Sequence, residues 1–223
     1  MEQPTRVTIL ISGSGTNLQA LIDAQQSSKY VEPVSIVRVI SNRRAAYGLE
    51  RAKKVGISTE YHNLKAYKDR HPADDTGVAA ARTEYDRDLA ALILKDKPDL
   101  VVCAGWMHIF SDECLKPLEE KGVWVINLHP ALPGQFNGAN AIQRAHEKFM
   151  DGGLEKTGVM IHKVIRAVDE GEPLLVREID LEHPRDDDLE ALEQRIHETE
   201  WKAIVEGTNL AIERLWTERA GKT

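Results

Sequence analysis

The 223-residue chain is short of several features that would assign it to common protein classes. It has no apolar run as long as the roughly 20 residues of a membrane helix, and Met1–Arg6 does not open a signal peptide. Its two cysteines, Cys103 and Cys114, form no CxxC pair. We therefore expect a protein of the reducing cytoplasm, with no membrane partner. The formal net charge of −7 argues against nucleic acid as a partner, because a nucleic-acid binder needs a basic stripe.

Signatures of metal and covalent catalysis are also missing. The eight histidines show neither HExxH nor Cys/His ligand spacing, so we expect no metal. The chain contains no GxSxG nucleophile elbow and no GK[ST] phosphate loop. The chemistry must then come from noncovalent donors and acceptors.

The first positive signal is a strand followed by a glycine-rich turn and a helix. Val7–Ser12 predicts a buried strand, and Gly13–Asn17 follows it, with Thr16 and Asn17 as helix-start residues. The exposed amides of such a turn bind anions. Leu18 replaces the third glycine of a dinucleotide fingerprint, and Val34–Ile40 is not followed by an acid that would hold a ribose. A phosphate monoester suits this turn better than NAD or ATP, and a tight turn without a ligand remains the alternative.

The remaining apolar patterns predict alternating helices and strands. Helices are expected at Ala45–Val55, Arg82–Lys95, Ser111–Glu119 and Ala141–Met150, and strands at Ser58–Tyr61, Asp99–Ala104, Val159–Arg166 and Leu174–Ile179. Polar Lys65–Ala81 is expected to be largely a surface insertion, and Asp186–Asp188 to cap a long helix. We expect an α/β, Rossmann-like, doubly wound fold. Its sheet would be mostly parallel with a C-terminal antiparallel hairpin, in a single domain spanning 1–223.

The central stretch of the chain places two polar side chains at the end of a strand. Trp124–Ile126 predicts a buried strand, and Pro130 begins the loop that ends it. Because strand side chains alternate, Asn127 and His129 would project to one side, where open α/β sheets bind ligands. The competing interpretation is a pair of satisfied polar residues without a catalytic role.

Other residues could join this pair. Asp169 lies in a turn after a strand that carries His162, and Glu200 interrupts the apolar stripe of the last helix. A buried carboxylate is costly, so Glu200 is expected to meet a cation from the protein or a ligand amine. The aromatic loop Gly105–Phe110 could line a pocket for a flat ring or could fill the core. An amide, an imidazole and a carboxylate suit oxyanion stabilisation and proton transfer, as in acyl or formyl transfer to an amine.

At this point the sequence resembles a known family. Its most distinctive segments are Ile11–Gln19, Asp99–Phe110, Asn127–Pro130 and Gly158–Pro173. Together they are similar to the monofunctional phosphoribosylglycinamide (GAR) formyltransferases, from Val7 to about Trp216. The resemblance implies formyl transfer from 10-formyltetrahydrofolate to the amine of glycinamide ribonucleotide in purine biosynthesis, by a monomer or homodimer. It also implies a phosphate-binding half (about 5–120) and a catalytic, folate-binding half (about 121–217).

Residue roles follow from the same resemblance. Asn127 and His129 would stabilise the oxyanion, and Asp169 would keep His129 protonated and relay a proton, with His162 supporting this network. The substrate would bind Gly15, Thr16, Asn17, His197 and Glu200. The folate would bind Arg82, Met107, His108, Ile109, Phe110, Val168 and Asp169, with Asn127.

The chain departs from the family pattern at several places. His129–Gly134 reads His-Pro-Ala-Leu-Pro-Gly instead of His-Pro-Ser-Leu-Leu-Pro, and the turn Asp169–Pro173 is longer than usual. Asn140 replaces a frequent histidine, and Met160 replaces a small residue. The alternatives are a formyltetrahydrofolate hydrolase, which shares the Asn-x-His and the Asp, and a non-catalytic Rossmann-like binding module. A methionyl-tRNA formyltransferase would need a basic C-terminal RNA-binding domain.

Overall fold

The computed structural model describes residues 3–221, within which seven strands form one sheet in the order β3-β2-β1-β4-β5-β6-β7. The strands are β1 (Thr5–Ile11), β2 (Val34–Ser41), β3 (Thr59–Tyr61), β4 (Leu100–Cys103), β5 (Trp124–His129), β6 (Lys156–Lys163) and β7 (Pro173–Asp180). Strands β1 to β5 pair in parallel, whereas β6 and β7 run antiparallel to their neighbours. This confirms the predicted mostly parallel sheet with its antiparallel hairpin.

Helices cover both faces of the sheet. They are α1 (Thr16–Gln26), α2 (Tyr47–Lys54), α3 (Lys65–Lys68), α4 (Asp75–Leu94), α5 (Asp112–Glu120), α6 (Ala141–Met150) and α7 (Leu189–Ala220). One apolar cluster joins the sheet to α1, α2, α6 and α7, and a second joins it to α4 and α5. The predicted doubly wound architecture is therefore correct, because buried parallel strands need apolar cover on both faces.

The segment Lys65–Ala81 is more ordered than the predicted surface insertion. It contains the short helix α3, and α4 begins at Asp75, seven residues before the predicted start at Arg82. The Asp74 carboxylate accepts a hydrogen bond from the Gly77 amide at 2.7 Å, which caps the helix. Helix capping thus prevails over the polar composition that suggested a loop.

Some strand and helix ends match the prediction and others differ from it. Strand β5 runs through Asn127 to His129, as the predicted alternation and the loop from Pro130 require, and His129 pairs with Met160 of the neighbouring strand. Strand β6 ends at Lys163, three residues before the predicted Arg166. At the start of α7, Asp188 is the capping residue as expected, whereas Asp186 is buried and paired with Arg195.

Among residues 3–221, no helix combines the length and apolar character that crossing a membrane would need.

Candidate active site

A cleft of about 440 Å³ lies at the carboxyl ends of the parallel strands. Its walls come from five regions of the chain: the glycine turn, the aromatic loop, the end of β5 with the following loop, the β6–β7 region, and α7. The lining residues include Gly13–Asn17, Cys103–Phe110, Asn127–Pro130, Gly138–Ile142, His162, Val168, Asp169, His197 and Glu200. The cleft therefore joins nearly all the predicted site residues in one space.

The glycine turn forms the first wall. Gly15 has a φ of 73° and is the N-cap of α1, and the helix starts at Thr16 and Asn17 as predicted. The turn packs tightly on α2, since a Cβ added to Gly15 would lie 2.5 Å from the Cα of Gly48. Arg51 of α2 donates to the Ser14 carbonyl at 2.9 Å and brings a positive charge to the turn. The turn and its helix N-terminus can hold an anion.

Asn127, His162 and Asp169 form a hydrogen-bonded group at the end of β5. Asn127 and His162 are cross-strand partners, and their Nδ2 and Nε2 atoms lie 3.2 Å apart. The Asn127 amide also donates to Asp169 at 3.3 Å. His129 projects to the same side, as the alternation predicted, with its Nδ1 atom 3.4 Å from Asp169. One carboxylate thus faces both histidines and the amide.

The position of Asp169 depends on an unusual backbone conformation. Its φ of 57° lies in the left-handed region, which Asp tolerates better than most residues. Its carboxylate accepts a hydrogen bond from the Gly138 amide at 2.8 Å. Burial alone would raise the pKa of Asp169, but the bonds from His162 and Gly138, with His129 nearby, lower it below the usual value. The carboxylate is therefore an anion at neutral pH.

His129 lies between two acceptors. Its Nε2 atom is 3.2 Å from the Gln135 carbonyl, and its Nδ1 atom faces Asp169. Burial lowers the pKa of His129 below its ordinary value and outweighs the opposing effects of Asp169 and Gln135. Asp169 acts in the expected direction by favouring the protonated ring, but burial outweighs it in the free protein, so protonation of His129 beside Asp169 stays a prediction for the complex with substrates. A neutral ring can satisfy only one acceptor, so a second proton becomes favourable when negative charge develops nearby.

Glu200 is buried, with 5% of its surface exposed, and lies beside Asn17 at the end of the glycine turn. A protein cation or a ligand amine was expected as its partner; within residues 3–221 the Asn17 side-chain amide donates to it at 3.0 Å, and the ligand amine stays a prediction. Burial raises the pKa of Glu200, while the Asn17 bond and nearby His197 oppose the rise. This contact ties α1 to α7 at the cleft.

The aromatic loop forms another wall, next to the glycine turn, since the Met107 amide donates to the Ser12 hydroxyl at 2.9 Å. Met107, His108, Ile109 and Phe110 all line the cleft, as does Val168, whereas Arg82 does not. The Arg82 guanidinium instead donates to the Ile109 carbonyl. Its observed contact is with the protein backbone of this loop.

Some residues of the site were missed by the sequence analysis. They are Gly138 and Gln135, whose backbone groups bond Asp169 and His129, together with Arg51 and Asp86. Backbone contacts carry no sequence signal, although the acidic residue Asp86 within a predicted helix could have been noticed. Among residues 3–221, no three metal-ligating side chains gather into a group that could hold a metal ion.

Comparison with known proteins agrees with this geometry. The formyl transferase family matches residues 5–208 of the chain. A phosphoribosylglycinamide formyltransferase of Schizosaccharomyces pombe is 48% identical over 206 residues, which cover 92% of this chain and 96% of the relative. The Saccharomyces cerevisiae enzyme of the same name is 45% identical over 213 residues, covering 94% and 98%.

Solved structures give the same result. Glycinamide ribonucleotide transformylase 1 from Symbiobacterium toebii superposes with a TM-score of 0.78 and 30% identity, covering 94% of this chain and 88% of that one. A phosphoribosylglycinamide formyltransferase from Campylobacter jejuni gives a TM-score of 0.77 with 28% identity, covering 93% and 97%. Both likenesses extend over nearly the whole chain.

Proposed function

The chain belongs to the formyl transferase family, and we propose on that premise that it transfers a formyl group to the amine of glycinamide ribonucleotide in purine biosynthesis. The observation that carries the proposal is the shared cleft. Asn127, His129 and Asp169 line the same space as the glycine turn and Glu200. One small substrate could therefore contact three kinds of site at once. These are the polar side chains for carbonyl chemistry, the anion site of the glycine turn and the buried carboxylate of Glu200, which would bind an amine.

The ribonucleotide fits the half of the cleft between α1 and α7. Its phosphate would bind the amides of Gly15, Thr16 and Asn17 at the N-terminus of α1, where the helix dipole favours an anion. Its amine or adjacent amide would bind Glu200, with His197 beside it. Because Glu200 already contacts Asn17, the two binding groups are held at a fixed separation.

The formyl donor would be 10-formyltetrahydrofolate, bound along the aromatic loop. Met107, Ile109, Phe110 and Val168 provide an apolar surface for a flat ring, and Asp169 and Asn127 provide polar groups at the reacting end. Direct binding of the folate by Arg82 would require the Arg82 side chain to leave its present partner. Its guanidinium is already bound to the Ile109 carbonyl.

The mechanism would be direct attack. The amine nitrogen forms a bond to the formyl carbon, and the carbonyl oxygen becomes an oxyanion that Asn127 and His129 stabilise as donors. The attacking nitrogen loses a proton, and the bond from the formyl carbon to the donor nitrogen breaks as that nitrogen gains one. Asp169 is ionised and faces His129, so it would stabilise the protonated ring and pass the proton, through a water, between the two nitrogens.

A formyltetrahydrofolate hydrolase is the main enzymatic alternative. It would use the same catalytic group with water as the attacking nucleophile. The glycine turn, with Arg51 and Glu200 beside it, favours the transferase because a hydrolase would not need a second substrate site. A non-catalytic binding module would not need Asn127, His129 and Asp169 together in the lining of one cleft.

One assay tests the proposal. The purified protein is mixed with 10-formyltetrahydrofolate, and the conversion to tetrahydrofolate is followed by absorbance with and without glycinamide ribonucleotide. The transferase requires rapid deformylation only when the ribonucleotide is present. Equal rates in both mixtures would indicate the hydrolase, and binding without turnover would indicate the binding module.

We further expect the enzyme to work in the cytoplasm as a monomer or homodimer. Cys103 and Cys114 are both free and buried, which is compatible with a reducing compartment. Size-exclusion chromatography with light scattering would measure the oligomeric state.

A further inference from the structure

The side chains of the aromatic loop alternate between two directions. Met107 and Ile109 are 61% and 51% exposed, although both line the cleft. Trp106 and Phe110 are buried, and the His108 side chain is only 7% exposed. The loop is therefore an extended segment in which buried and exposed side chains alternate. Met107 and Ile109 can contact a ligand in the cleft only while the buried side chains hold the loop in place.

One turn of helix α4 provides the anchor. The Asp86 carboxylate is fully buried and accepts hydrogen bonds from His108 Nε2 at 2.7 Å and from the Ser111 amide at 3.0 Å. Arg82, one helical turn earlier, lies 3.6 Å from Asp86 and donates to the Ile109 carbonyl. Three points of a segment without regular structure are thus attached to two side chains of a rigid helix.

Asp86 is costly to bury and does not itself line the cleft. Burial would raise its pKa, but the hydrogen bonds from His108 and Ser111 lower the pKa below the usual value, so the group is an anion. The ring of Tyr85 packs edge-on against His108 with 4.7 Å between centroids, which leaves the imidazole little freedom. The charged carboxylate of Asp86 therefore orients His108 and Ser111.

We propose that Asp86 is a positioning residue for the formyl donor: it holds His108 and Ser111 so that Met107 and Ile109 face the donor ring. The inference rests on the proposed function, since it assigns the donor to the aromatic loop. It also gives His108 a different role from direct folate binding, because the hydrogen bond that its ring makes within residues 3–221 goes to Asp86.

The test uses substitutions at both ends of this bond. Asp86→Asn removes the charge with little change in volume, and we expect the KM for 10-formyltetrahydrofolate to rise about tenfold, because a charge-assisted bond that orients a ligand surface is lost. The KM for the ribonucleotide should change less than about twofold. Asp88→Asn is the matched control, since Asp88 lies on the same helix and binds the Tyr67 hydroxyl away from the cleft.

Two further variants keep the test valid if Asp86→Asn folds poorly. His108→Leu cannot donate to Asp86 and should raise the KM for the donor, whereas His108→Gln keeps a donor near the Nε2 position and should recover most of the loss. Hydrogen–deuterium exchange of residues 105–111 in the ligand-free protein should be faster in Asp86→Asn and His108→Leu than in the wild type and in Asp88→Asn.

The outcomes separate this inference from the proposed function. If the wild type shows no formyl transfer, the proposed function fails, while the exchange measurement still reports on the anchor. If the wild type is active but the variants keep a normal KM for the donor and normal exchange, the positioning role is wrong. An equal rise of both KM values would also overturn it, because that result indicates a general loss of structure.

Discussion

At the scale of the residue, His129 combines burial with two acceptors, and this combination makes it the residue on which turnover should depend most. We expect His129→Ala to lower kcat by about 10²-fold or more, because a lost oxyanion donor has that effect in other enzymes. The KM values should change little. The measurement is steady-state formyl transfer, with circular dichroism to check the fold.

The control for this variant is His146→Ala on α6. His146 bonds the Asp187 carbonyl, and it is not part of the cleft lining. Near-normal turnover of His129→Ala would exclude the role assigned to this imidazole.

The same residue should make stability depend on pH. Burial lowers the pKa of His129 in the folded protein below the ordinary value of about 6.5. Between those two values the unfolded chain binds more protons than the folded one, so unfolding becomes easier as pH falls through this window. The contribution of the neutral His129 ring to the free energy of unfolding is fully present above about pH 6.5 and is lost as the pH falls toward the pKa of His129 in the folded protein.

We therefore expect His129→Gln to lose less stability than the wild type between pH 7.5 and 5.5. Urea unfolding at the two pH values measures the difference, and His146→Gln provides the comparison. A larger loss in His129→Gln than in the wild type would contradict the direction of the pKa shift.

The sequence predicted some of these residue contacts and could not predict others. Alternation along a strand correctly placed Asn127 and His129 on one side, because that pattern depends only on local geometry. The contacts of Gly138 and Gln135 depend on the path of a long loop, and their backbone groups are chemically the same at every position. The partner of Glu200 was also out of reach, since Asn17 lies 183 residues away in the chain.

At the scale of the element, the hydrogen bond between Asn17 of α1 and Glu200 of α7 joins two helices, and both residues are proposed to bind the ribonucleotide. Glu200→Gln should keep an acceptor for the Asn17 amide while removing the negative charge. We expect the KM for glycinamide ribonucleotide to rise about tenfold, as for the loss of a bond to a charged group. The KM for the folate and the melting temperature should change little.

Glu198→Gln is the control for this substitution. Glu198 is exposed on the same helix and accepts a bond from Gln194. Equal changes in both KM values of Glu200→Gln would contradict its assignment to the ribonucleotide.

Helix α7 also shows where a glycine is required by packing. A Cβ added at Gly207 would lie 2.5 Å from Cγ1 of Ile161 on β6. Alanine normally favours a helix by about 1 kcal/mol over glycine, but overpacking costs about 1–3 kcal/mol. We expect Gly207→Ala to lower the free energy of unfolding, measured in urea. Gly153→Ala is the control, because a Cβ added there would lie 3.4 Å from its nearest neighbour and should change the free energy of unfolding little. An increase in the free energy of unfolding of Gly207→Ala would instead show that the helix can shift to make room.

Helices and strands were predictable where the apolar periodicity is strong. Their ends were harder to predict where a capping residue sets the start of a helix. The cores of β1, β2, β4 and α6 match the apolar patterns that predicted them. The start of α4 was missed because Pro72, Asp74 and Gly77 have the composition of a loop. In the structure, Asp74 caps the helix, and Gly77 allows close contact with Pro72, whose carbonyl oxygen would lie 2.0 Å from an added Cβ.

At the scale of the whole molecule, one sheet passes through both halves of the chain, since β4 pairs with β5. The larger apolar cluster includes Val7 and Ile9 from the first half and Ile161 and Ile204 from the second. We therefore expect one cooperative unfolding transition, with equal midpoints by tryptophan fluorescence and far-ultraviolet circular dichroism. Two separated transitions would instead show that the halves fold independently.

The fold class was predictable because strands alternating with helices leave few arrangements. The complete cleft was harder to predict from the sequence. Its location at the strand ends follows from a general rule of α/β sheets. The meeting of Asn17 with Glu200, and of Asp86 with His108, results from tertiary packing that no local pattern encodes.

The crossing of α7 over α1 has a consequence for synthesis of the chain. The ribosome makes Asn17 early, but Glu200 emerges only after all seven strands have been translated. A nascent chain that already contains the glycine turn therefore still lacks the carboxylate that we propose for the amine of the substrate. Under that proposal, a fragment released before α7 is made would be unable to bind the ribonucleotide.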